Sequence, residues 1–158
     1  MIDIEIEADG WVAALADAAT LTRIAAGAAL AIEGADGEGV TILLTDDETV
    51  RDLNRRFRSI DRPTNVLSFP APHNPERFLG DIALAFGVCT REAADQGKPL
   101  GDHLQHLVAH GVLHLLGYDH ETDGEADAME GLERTVLAGL GVPDPYRTDP
   151  PAGHERSS

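Results

Sequence analysis

A chain of 158 residues with 42% apolar residues can bury about two-thirds of its unfolded surface as one domain, so it needs neither disulfides nor a metal to supply a core. Its single cysteine, Cys89, excludes an internal disulfide framework and fits a reducing cytoplasm, and the opening MIDIEIEADG has neither the basic flank nor the apolar run of a signal peptide. A formal net charge of −16 argues against a general polyanion binder, yet five of the twelve basic residues, Arg51, Arg55, Arg56, Arg58 and Arg62, crowd into one stretch.

Ile2 to Glu7 alternate apolar and acidic residues, the period of a half-buried strand. The alanine-rich run from Trp11 to Ile32 reads as one or two helices. With Arg23 inside it, it falls well short of the ~20 apolar residues that cross a bilayer. Glycines 34 to 39 end it, and Val40–Thr45 reads as a strand. Asp46 or Asp47 then caps a helix carrying Val50, Leu53, Asn54 and Phe57 on one side and arginines on the other, closed by Pro63. Thr64–Phe69 and Leu79–Phe86 read as two further strands. Asp81 lies inside the second, and such an acid sits either beside a basic group or at a strand edge.

Cys89–Gln96 forms a short helix, and a longer one begins near Pro99. At about 100° per residue, His103, His106, His110 and His114 share one face of that helix, opposite Leu104, Val108, Val112 and Leu115. A last amphipathic helix runs from Glu125 to Leu140, and the proline-rich tail, residues 143–158, is expected to be disordered. The fold expected is α+β: a single domain over residues 1–142, with one mixed sheet of about four strands and helices packed on it.

The stretch HGVLHLLGYDH, His110 to His120, carries the chemistry. His110 and His114 lie one turn apart, Gly117 lets the chain turn back, and His120 then approaches from the other side. Three imidazoles with a fourth position open are the ligand set of a catalytic zinc, whereas structural sites close all four positions. The spacing is that of the metzincin peptidases, H-E-x-x-H-x-x-G-x-x-H, but Gly111 stands where their general-base glutamate belongs. The metal cage is therefore expected without that peptidase mechanism. His103 and His106 read as rim or supporting residues, with an ordinary surface role favoured.

Three segments, RFRSIDRPTNVLSF (Arg56 to Phe69), LGDI (Leu79 to Ile82) and HGVLHLLGYDH, together resemble the YbeY family of bacterial metal-dependent endoribonucleases over most of the chain from Ile42 to Leu140. The resemblance implies that His110, His114 and His120 hold one Zn2+ per chain. It also implies that Arg58, within N-x-x-F-R-x-x-D, is the functional arginine. Asn65 stands where many relatives carry aspartate. The implied activity is cleavage of single-stranded RNA in the maturation and quality control of small-subunit ribosomal RNA, in the cytoplasm, beside the ribosome or ribosomal proteins, with neither DNA nor membrane as partner. A planar guanidinium bonding two phosphate oxygens suits that role, although an arginine merely paired with Asp61 on a solvated helix face remains an alternative. Thr64, Ser68 and Asp119 read equally as substrate contacts or structural residues. Two other functions stay open: a metallohydrolase of another substrate, peptides included, and a ribosome assembly factor with a structural metal.

Overall fold

A computed structural model describes residues 1–119 and 121–146. In chain order they form β1 (Ile2–Ile6), α1 (Asp9–Ala14), α2 (Ala18–Ile32), β2 (Gly39–Thr45), α3 (Asp47–Arg58), β3 (Val66–Pro70), β4 (Phe78–Ala85), α4 (Phe86–Asp95), α5 (Leu100–Leu115) and α6 (Asp123–Gly139). The strands make one mixed sheet in the order β1-β2-β4-β3. β1, β2 and β4 run parallel, joined through helices as parallel neighbours must be, and β3 runs antiparallel at the edge. The domain is thus α+β with a mixed four-stranded sheet, as the alternation of elements predicts.

Side-chain period decides what each sheet face meets. Ile42, Leu44, Ile82 and Leu84 face α2 and α5, where Leu104, Val108 and Val112 of α5 and Ala25, Ala26 and Ala29 of α2 complete the main core. The alanines let α2 lie close to α5. Leu67, Ala83 and Ala85 face the other way, onto Val50 and Leu53 of α3. Trp11 closes one end of the core, fully buried, with its indole donating to the Thr45 carbonyl at 2.9 Å and its ring edge-on to Phe86. No helix among the described residues is long and apolar enough to cross a membrane.

Helix α3 begins as its sequence predicts, with Asp46 accepting from the Thr49 amide at 2.7 Å. Its end differs from the expectation. Pro63 is not the stop: the helix finishes at Arg58 because Ser59 turns left-handed, at φ 60°, and the Ile60 amide bonds back to the Asn54 carbonyl. Asn54, buried, then holds the following loop by donating to the Arg62 carbonyl. Phe57 also departs from expectation, being 64% exposed rather than part of the core face. Thr122 and Glu125 form a capping box at the start of α6 that sequence reading passed over.

Asp81 lies within β4 between Thr41 of β2 and Phe69 of β3, so it is not at the sheet's edge, and partial burial raises its carboxyl pKa. The preceding residue, Gly80, has φ +146°, and a Cβ there would sit 2.2 Å from the Phe69 carbonyl oxygen. That oxygen is backbone and cannot swing aside. Gly80→Ala should therefore lower stability by about 3 kcal/mol in urea unfolding; an unchanged midpoint would mean that β3 and β4 do not pair this closely.

Candidate active site along helix α5

The four histidines of α5 do share a face, but they have different jobs. His110 and His114 lie with ring centroids 5.7 Å apart and planes within 22°, as two residues one turn apart should. The Nδ1 of His114 is 2.9 Å from the Tyr118 carbonyl oxygen, which can only accept, so the ring carries its proton there. His110 Nδ1 donates at 2.9 Å to Glu133 of α6. In each neutral ring the lone pair is thereby placed on Nε2.

Glu133 is the residue that sequence reading missed. It is fully buried, and its second oxygen accepts from His106 Nε2 at 2.8 Å and from the Tyr146 hydroxyl at 2.6 Å. Burial alone pushes this carboxyl up, but the bonds from His106, His110 and Tyr146 outweigh it and hold the pKa down at about 2. A signal was present in the sequence: Glu133 interrupts the apolar stripe of Met129, Val136 and Leu137 on α6, where a charge needs partners. The surface role favoured for His103 and His106 does not hold either. His103 is 3% exposed and bonds Glu92 at 2.9 Å, while His106 is tied to Glu133.

Gly111 faces the sheet, next to His114 on the helix surface. A Cβ there would lie 3.1 Å from Ile82 and 3.3 Å from Ser68 Oγ, so this position has no room for a glutamate. Ser68 links the two sides of the site. Its hydroxyl donates to the Gly111 carbonyl at 3.3 Å, and its own carbonyl accepts from Arg58 Nη2 at 2.6 Å. The Arg58 guanidinium also sits 5.5 Å over the Phe69 ring. Pairing with Asp61, the alternative for this arginine, is taken by Arg51 instead, at 2.9 Å.

Asn65 has a structural task, donating to Glu92 at 3.0 Å and accepting from the Val66 amide at the start of β3. Thr64 and Asp119 are half-buried. His120 lies outside the described residues, and among those described no three metal-ligating side chains converge. Residues 143–146 fold back so that Tyr146 reaches Glu133, and residues 147–158 lie outside the description.

The class that fold and site define is a small α+β domain with a histidine-lined helix beneath an arginine-capped edge strand. The family model described as Endoribonuclease YbeY matches residues 5–141. A Rhodopseudomonas palustris protein named endoribonuclease YbeY is 53% identical over 153 residues, covering 91% of this chain and 90% of that one. An Azorhizobium caulinodans protein of the same name is 51% identical, covering 92% and 95%. A solution structure from Thermotoga maritima shares the fold, with TM-score 0.61 at 24% identity over 98% of this chain and all of that one. The chain belongs to the endoribonuclease YbeY family.

Removing the Glu133 carboxylate tests the site's support. Glu133→Ala leaves two imidazole N–H groups and a hydroxyl without their acceptor and should cost about 3 to 5 kcal/mol. Because the folded-state pKa lies below the ordinary 4.5, the carboxylate's contribution is present above that value and lost as pH falls toward 2. Unfolding measured from pH 7 to 3 should therefore weaken more steeply in the wild type than in Glu133→Gln; parallel curves would remove the carboxylate from the balance.

Proposed function

We propose that the protein is a zinc-dependent endoribonuclease that cuts single-stranded RNA, acting in the cytoplasm on small-subunit ribosomal RNA beside ribosomal proteins. The observation that carries this reading is the double hold on Ser68, which sets the Arg58 guanidinium against the strand that packs on the His110–His114 helix. The endoribonuclease activity for which the family is named supports the RNA-cleaving part of it.

The donor set suits zinc: two imidazoles whose Nδ1 protons are fixed by a carboxylate and a carbonyl, the outer-sphere arrangement usual for ligating histidines. His120 would supply the third nitrogen. A zinc ion held there would supply Lewis acidity, neutralising phosphate charge and lowering the pKa of a water to about 7. The chain's own part is positional. Glu133 and the Tyr118 carbonyl hold the two rings, and Arg58, with one of its five N–H groups spent on Ser68, offers a rigid fork to phosphate oxygens as charge develops on them.

Two observations weigh against peptide hydrolysis. Position 111 has no room for the metzincin glutamate, and the Ser68 carbonyl, which a peptide lying along the edge strand would use, is already bonded to Arg58.

Purified protein should carry about one zinc per chain and His114→Ala should lose it, with binding weakening below pH ~6.5 as the imidazoles protonate. A wild type that takes up no metal after supplementation removes the zinc from the reading. Single-turnover cleavage of a single-stranded RNA should fall about 10²- to 10³-fold in Arg58→Ala with zinc content unchanged, and Arg58→Lys should recover only part of the loss. Equal rates in all three proteins would take Arg58 out of the reaction and favour an assembly factor with a structural metal.

A further inference from the structure

Phe57 has no business on a solvated helix face by the usual logic of folding. It is 64% exposed at the end of α3, and a large apolar ring gains nothing from water. Its surroundings are specific. The Phe57 ring stands edge-on to Phe69, centroids 5.6 Å apart, and the Arg56 guanidinium lies 5.7 Å from its centre, while Arg58 covers Phe69. The four side chains thus interleave, two cations with two rings. From Arg51 to Arg62 the chain holds five arginines against two acids, Asp52 and Asp61, in a protein of net charge −16. The helix dipole favours cations at this end, but it does not account for a phenylalanine among them.

We propose that this ridge is a second contact surface for single-stranded RNA, on which Phe57 stacks an unpaired base and Arg55 and Arg56 meet the flanking phosphates. The inference rests on the RNA substrate proposed above. Charge complementarity selects the occupant: the ridge is the basic part of an acidic molecule, and a polyanion with open aromatic faces matches both of its components. Bases in a duplex have their faces covered, so stacking requires a single strand. Continuity with the candidate active site supports the same conclusion. Arg58 bonds the Ser68 carbonyl, and the Ser68 hydroxyl reaches Gly111, the residue after His110, so a strand cut beside the histidines continues onto the ridge within a few nucleotides. Asp52 holds Arg55 and Arg56 together, which reduces the side-chain freedom lost when phosphate binds.

The test is fluorescence anisotropy with a labelled 12-nucleotide single-stranded RNA and its duplex, using wild type, Phe57→Ala and Phe57→Trp. Phe57→Ala should bind the single strand about 5- to 100-fold more weakly, Phe57→Trp should restore binding, and duplex affinity should stay level across the three. Melting should shift by only a few degrees, the loss of the ring's contact with Phe69, and both variants should remain folded at the assay temperature. In cleavage assays the loss should appear in KM more than in kcat, and should vanish with a dinucleotide too short to reach α3. Unchanged single-strand affinity in Phe57→Ala overturns the inference. So does an equal loss for single strand and duplex, which would make the ridge a charge surface only, or unaltered RNA binding with lost binding to a ribosomal protein, which would make it a protein dock. Failure of the catalytic reading looks different: the wild type would bind RNA, with the Phe57 dependence intact, and leave it uncut.

Discussion

Helix α5 lies so close to β3 and β4 that a Cβ at residue 111 would press on Ile82 and Ser68, and the site follows from that approach. With Gly111 turned into the sheet, the helix rotation is set, and His110 and His114 stand together on the adjoining face, His110 directed toward Glu133 of α6. Leu104, Val108 and Val112 fix the same rotation from the core side. The absent metzincin glutamate is therefore a packing consequence as well as a chemical one. Where the peptidase places a base, this fold places a close contact between helix and sheet.

The second support is a buried carboxylate. Removing Glu133 from water costs several kcal/mol before any partner is counted, and three donors from α5 and from the chain beyond α6 offset that cost. Such a group pins α6 to α5 more specifically than apolar packing does, because its two oxygens must each find their donors. Tyr146 belongs to this arrangement, its hydroxyl proton held more tightly by burial and by the Glu133 carboxylate. The segment after α6 is in this way part of the histidines' support.

Period and spacing made much of this legible in advance. The alternation in β1, the apolar stripe of α5 and the one-turn spacing of His110 and His114 are local patterns, and they predict the elements and the paired rings correctly. What escaped was long-range. Asp61 lies three residues from Arg58 in sequence, yet it bonds Arg51, while Arg58 reaches across to Ser68. Nothing local distinguishes these two pairings. His103 looked like a surface residue because Glu92, its partner, belongs to another helix. The end of α3 was misplaced for a different reason: a left-handed serine at position 59 stops the helix before the proline can, and serine announces that conformation far less clearly than glycine does.

The sheet has two open sides, and each is closed to further strands by different means. β1 turns Asp3 and Glu5 outward, exposed along its length, so a second β1 brought alongside would set like charges together. At β3 the Arg58 side chain occupies the Ser68 carbonyl, and the strand ends on Pro70, which has no amide proton to give. The arginine proposed to meet phosphate thereby also guards the edge strand against edge-to-edge aggregation. Replacing it would free a template for β-sheet growth, which at high protein concentration reads as loss of solubility.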